Sequence, residues 1–219
     1  KAEVEKLIAS GSGNWQRLYA QLEGEYRTLH YNLAQMAATQ AISEYKTVAN
    51  IWGRGTGKTT FIADAIRQMM HAMPRGVGAF VSPSNQFFLT RIIPSLVQGL
   101  EMQGLYQNIH YFIGRKPPTS WKWPLPYQPP SKFNKFITFY NGFGIHMVSQ
   151  DMPGDGRGLN LDFIITDESA LLSKVKLEES VEPALRGSNR TAFNKSPLFG
   201  SILHNTSMPL SPTGNWLFD

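Results

Sequence analysis

The 219-residue chain is 42% apolar and 17% charged, which is enough hydrophobic material for one substantial core and excludes a disordered chain. It has no cysteine, so disulfides and thiolate metal sites are excluded, and no apolar run approaches the ~18 residues that span a bilayer. The opening K-A-E-V-E-K is not a secretory signal, and a formal charge of +5 with a pI near 9.4 modestly favours a polyanionic partner.

Taken in chain order, residues 1–28 predict an N-terminal helical addition, with helices at Ala2 to Ala9 and Gly13 to Leu22, and residues 29–219 predict one α/β domain. That domain begins with a helix over Leu33 to Tyr45 and a strand over Thr47 to Trp52. Residues Trp52 to Thr60 read W-G-R-G-T-G-K-T-T and lead into a helix over Lys58 to Met73. A glycine-rich turn between a strand and a helix lets successive N–H groups converge on an anion while the helix aims its positive end at the same point. Gly53, Arg54, Gly55, Thr56, Gly57, Lys58, Thr59 and Thr60 are therefore the candidate nucleotide-binding residues. Lys58 supplies a mobile cation for the β and γ phosphates, and the Thr59 hydroxyl is placed to ligate Mg²⁺. The general pattern G-x-x-x-x-G-K-[ST] is met imperfectly, because Trp52 stands at its first position. An ordinary glycine-rich turn is the alternative reading.

A strand at Gly78 to Val81 follows, then a helix over Gln86 to Met102 that Pro94 is expected to kink. Arg115, Lys116, Lys122, Lys132 and Lys135 lie among Tyr111, Trp121, Trp123, Tyr127 and Phe133 in a proline-rich stretch. The cations could track nucleic-acid phosphates while the aromatics stack on bases, or the aromatics could pin an irregular insertion to the core. Asn141-Gly142 between Phe136 to Tyr140 and Gly144 to Ser149 signals a hairpin.

Asp162 to Glu168 reads D-F-I-I-T-D-E, a buried parallel strand ending in two acids. Asp167 would hold the magnesium ion through water, and Glu168 would act as general base on the attacking water. Acids after an apolar run also suit a helix N-terminus. A helix is expected from about Leu171 to Leu185, and a last strand at Ser201 to Leu203, ending in His204, Asn205, Thr206 and Ser207. A polar tip on a strand beside the phosphate loop could sense the γ phosphate, or could be a plain Asn/Ser-rich loop. The elements add up to an α/β P-loop NTPase of the ASCE/RecA-like kind, with a mostly parallel central sheet flanked by helices.

The arginine-containing loop, the block R-G-L-N-L-D-F-I-I-T-D-E from Arg157 to Glu168 and the ending T-S-M-P-L-S-P-T-G-N-W-L-F-D, in this order, resemble one family. They look like the ATPase domain of a large terminase, the DNA-packaging motor of tailed bacteriophages and related viruses, over roughly Leu29 to Asp219. The departure is Trp52, where many members have a small residue. The resemblance implies ATP hydrolysis with Mg²⁺ to translocate double-stranded DNA into a procapsid. It assigns Arg54 to the γ phosphate from within the subunit and Arg157 to a neighbouring subunit's nucleotide, where the alternative is a solvated loop arginine. Gln35 resembles the adenine-reading glutamine, with Gln40 a nearby competitor, and Thr206 and Ser207 match the coupling motif. Implied partners are DNA, a portal protein, a small terminase subunit and further copies in a pentameric ring, with a monomer possible in isolation. The implied location is the host bacterial cytoplasm, docked transiently on the procapsid, with no membrane. A start at Lys1 and an end inside W-L-F-D lead us to expect a fragment of a protein that continues into a nuclease domain. A helicase-like DNA-dependent ATPase, and a nucleotide-gated assembly or binding module with little hydrolysis, are the competing readings.

Overall fold

β-Branched and aromatic runs form the strands β1 (Thr47–Ile51), β2 (Val77–Ser82), β3 (Tyr111–Ile113), β4 (Phe136–Phe139), β5 (Gly144–Ser149), β6 (Phe163–Asp167) and β7 (Ser201–Thr206). In the computed structural model, which describes residues 30–152, 154–210 and 212–218, these strands make one seven-stranded sheet. Its order is β1-β7-β6-β2-β5-β4-β3. The first five strands in that order are parallel; β4 and β3 add an antiparallel edge. The two helices expected before Leu29 lie outside the described residues.

Helices α1 (Leu33–Glu44), α2 (Lys58–Ala72), α3 (Ile93–Met102) and α4 (Lys174–Ser180) flank the sheet. Side chains alternate across it, as the two-residue strand period requires. Phe80, Phe163 and Ile165 join Phe61, Ile66 and Met69 of α2 and Leu96 and Leu100 of α3 in one core. Val77, Ala79, Val81 and Ile164 turn the other way onto Leu172, Leu177 and Val181. Each of these side chains larger than alanine, buried fully, contributes about 1.5–3 kcal/mol, so both faces must be covered for these strands to be stable. Close approach is built in: a Cβ at Gly78 would sit 2.2 Å from the ring of Phe163, and one at Gly99 would sit 2.9 Å from Ala63 Cβ, where α2 and α3 meet.

The hairpin, the phosphate-loop strand and helix, and the helix from Leu33 form as the sequence predicts. Other expectations need correction. The last strand does not stop at Leu203 but runs to Thr206, because β7 lies between β1 and β6 and its polar residues find partners inside the sheet. The helix expected over Leu171 to Leu185 is broken: Ser173 caps α4 at Lys176 N, and after Ser180 the chain passes into a 3₁₀ turn at Glu182–Ala184, where Pro183 has no N–H to continue an α-helix. The helix at Gln86 to Met102 contains a π-helical turn, Phe88–Ile92, in which Ile93 N–H reaches back to Phe88 O. The turn precedes Pro94, whose missing N–H and bulky ring disfavour an unbroken α-helix. Strand β3 falls where no strand was expected, within the aromatic stretch.

Candidate nucleotide site

The phosphate loop leaves β1 at Ile51 and enters α2 at Lys58. Gly55 and Gly57 have φ of 77° and 84°, left-handed conformations that cost little only for glycine. Gly57 is also sterically confined, since a Cβ there would meet Gln35 Nε2 at 2.5 Å. No acidic residue sits in the first turn of α2, so nothing within the helix itself offsets its positive end. Trp52, at the position where the general pattern has glycine, packs its half-buried ring on Phe61 with centroids 5.5 Å apart and so fastens the loop to α2.

The loop is held from α1 as well. Asn32 and Gln35 form a capping box, Asn32 Nδ2 donates to Thr56 O at 2.9 Å, and Gln35 Nε2 donates to Gly57 O at 3.0 Å. Gln40 is exposed and donates its Nε2 to Glu44 Oε1 at 2.8 Å on the outer face of α1. The Lys58 ammonium donates to the carbonyls of Trp52 (3.3 Å) and Gly53 (3.1 Å) and to Ser207 Oγ (3.3 Å). A residue of the last strand's exit therefore touches the loop lysine directly.

Strand β7 stands between the loop strand and the two acids. Asp167 lies in register with Asn205, and Asn205 lies in register with Asn50. Burial lifts the Asp167 carboxyl to about 6, with Glu168 N–H and the Lys58 ammonium pulling the other way. Glu168 follows in the left-handed region, φ 50° and ψ 45°, with its N–H donated to Asp167 Oδ1 and its C=O accepting from Leu171 N–H. This turn carries the Glu168 side chain to a cleft of about 210 Å³ shared with Arg54, Thr206 and Ser207. Thr206 C=O accepts from Trp52 N–H, and Thr206 Oγ1 accepts from Ala170 N–H, so one residue bridges the start of the loop and the segment after the acids.

Arg91 lines the same cleft and was not among the expected site residues. It projects from the π-helical turn with its guanidinium 4.9 Å from the Phe87 ring. A proline three residues on, Pro94, was the available sequence signal, because π turns often accompany functional positions. Arg157 is elsewhere: it is exposed on a separate hollow of about 260 Å³ with Gln150, Asp155 and Lys176. The basic and aromatic stretch is chiefly packed on itself. Trp121, Trp123 and Phe112 form a ring cluster, Arg115 and Lys116 lie over Phe112 and Phe133, and Lys135 pairs with Asp155 at 3.0 Å. Lys122 and Lys132 are exposed, the latter on a hollow of about 300 Å³.

Comparison of the sequence with protein families and with curated proteins gives no match. Among solved structures, the chain is similar to the large terminase ATPase domain of Thermus phage P74-26, with a TM-score of 0.52 at 20% identity over 90% of this chain and 70% of that one. It is also similar to a large terminase from a thermophilic bacteriophage, with a TM-score of 0.54 at 12% identity over 81% of this chain and 39% of that one. The fold is that of a large-terminase ATPase domain. In this terminase-like fold the loop, β7 and the two acids occupy adjacent strands, and among the described residues no helix is long and apolar enough to cross a membrane.

Proposed function

We propose that the chain is the ATP-hydrolysing motor domain of a viral large terminase, which drives double-stranded DNA into a procapsid. The observation that carries this reading is the convergence of the phosphate loop, Asp167 and Glu168 on a strand order in which only β7 separates them. Lys58, Arg54 and the loop N–H groups of Gly53 to Thr60 bind the phosphates. Glu168 takes the proton of the water that attacks the γ phosphorus as the bond to the β-phosphate oxygen breaks.

Magnesium fits the donors present. Thr59 and Asp167 offer hard oxygens, and a carboxyl lifted to about 6 by burial is a group that a bound cation would return to its charged form. When bound, the ion neutralises charge on the phosphates. Gln35 reads adenine: among the described residues its amide spends one N–H on Gly57 and one lone pair on Asn32 N–H, and its second N–H and second lone pair are the groups that would meet a base edge. Thr206 and Ser207 couple the nucleotide to the rest of the motor, and Arg157 serves the nucleotide of the next subunit in a ring. The net charge of +5 supports contact with DNA, for which Arg115, Lys116, Lys122, Lys132 and Lys135 are the candidates.

Phosphate release from Mg·ATP is the direct test. Wild-type protein should turn over, Lys58→Ala should not, and Glu168→Gln should bind nucleotide normally while turnover falls by about 10²-fold or more. Turnover unchanged in Lys58→Ala would remove the reading. Hydrolysis that occurs only on single strands would favour a helicase-like ATPase instead.

A further inference from the structure

Parallel strands bond evenly along their length, so a strand that outlasts its neighbour exposes backbone groups inside the sheet. This happens at β7. Asp167 is the last residue of β6 in register, opposite Asn205, and the chain then turns out of the sheet at Glu168. Thr206 directs its carbonyl to the loop side, where it meets Trp52 N–H, but the N–H and C=O of Asn205 face the β6 side just as that strand ends.

Both groups are taken by a single hydroxyl. Ser169 Oγ donates to Asn205 O at 3.0 Å and accepts from Asn205 N–H at 3.1 Å, and both residues are fully buried. Thr166 Oγ1 contacts the same oxygen and also lies 2.9 Å from His204 Nδ1. One arrangement of protons satisfies the whole chain: His204 Nδ1–H donates to Thr166, Thr166 to Ser169, and Ser169 to the Asn205 carbonyl. Every donor and acceptor position on Ser169 Oγ is then used. Asn205 is fixed through its side chain too, by Asn50 Nδ2 and by the Thr166 carbonyl.

Glu168 lies between these two anchors, with Asp167 in the ladder on one side and Ser169 fastened to β7 on the other. We infer that Ser169 is a positioning residue for Glu168: its hydroxyl replaces the missing strand partner of Asn205 and so holds the left-handed turn that aims the carboxylate into the cleft. The inference rests on the ATPase reading, with Glu168 as general base.

The test combines steady-state Mg·ATP turnover with nucleotide affinity in wild type, Ser169→Ala, Glu168→Gln and the double variant. A carboxylate displaced by about an ångström loses on the order of tenfold to 10²-fold in rate. Ser169→Ala should therefore lower kcat by that factor, leave nucleotide affinity and KM within about twofold, and cost nothing further in the Glu168→Gln background. If Ser169→Ala does not fold, Ser169→Cys, of similar volume and a weaker donor, carries the same comparison. Wild-type kcat in a folded variant, affinity falling in step with kcat, or a full additional loss beside Glu168→Gln would each overturn the inference. A wild-type chain without Mg·ATP turnover would overturn the ATPase reading itself, whereas an active wild type matched by Ser169→Ala would overturn the positioning role alone.

Discussion

At Glu168 a non-glycine residue occupies φ 50°, a conformation that costs an L-residue roughly 1–2 kcal/mol. The cost is borne where the proposed general base must leave the sheet, so stability and turnover should part company there. Glu168→Gly and Glu168→Ala both remove the carboxylate, but glycine accepts the turn; it should be the more stable of the two by about 1 kcal/mol, read by urea denaturation. The reverse order would mean that the backbone relaxes out of the turn. Titration offers a second prediction. His146 and His204 are lowered by burial from 6.5 to about 4, so the unfolded chain takes up protons first and stability is lost as pH falls from about 6.5 towards 4. Asp167 is raised from 3.8 to about 6, so its contribution has the opposite sign: stability falls as pH rises through that interval. Asp167→Asn removes the opposing contribution, and the variant's stability should rise more steeply with pH between about 4 and 6 than wild type's. The glycine loop with its lysine, and the pair of acids, could each be read in the sequence as candidates because each is a local pattern. Ser169 and Asn205 were not, because their meaning lies in a contact across 36 positions, and serine after two acids looks like any turn residue.

Among the elements, β6 is fixed at both ends by carboxylates with different work. Asp162, fully buried at its foot, accepts from Val77 N–H (2.7 Å) and from both the N–H and hydroxyl of Ser188 (2.6 Å each). Asp162→Ala strands these donors and should cost about 3 kcal/mol or more in denaturant, while folded molecules keep wild-type nucleotide affinity. A similar loss of affinity in the folded fraction would show that the foot of the strand also shapes the site. Elements with strong periodicity, such as α2 and the Asn141-Gly142 hairpin, could be read from the sequence. The end of β7 could not, since His204, Asn205 and Thr206 have the composition of a loop and become strand only because neighbours on both sides satisfy them. Nor could the π turn carrying Arg91: Pro94 announced a distortion but not which side chain it would aim.

At the scale of the molecule, the arginines separate. Arg54 lines the Glu168 cleft and Arg157 lines another hollow, so in the proposed ring a subunit lending Arg157 would present a different surface from the one that receives it, as head-to-tail rings require. Mixing Arg157→Ala with Glu168→Gln subunits should restore part of the assembled activity, because some interfaces then pair an intact base with an intact arginine. No recovery at any ratio, with Arg157→Ala equally impaired as a monomer, would return Arg157 to its own loop. The fold was legible from three motifs in order, whereas the distance between the two arginines depended on crossovers that no local pattern reveals. The sheet order carries a mechanical consequence. Among the described residues β1 is an outermost strand with β7 as its only bonded neighbour. Any displacement of the phosphate loop therefore has one bonded route inward through the sheet, and slack in β7 would let the loop shift without the acids following. The compliance of six residues, Ser201–Thr206, then limits how faithfully a movement of the loop reaches the two acids by way of the sheet.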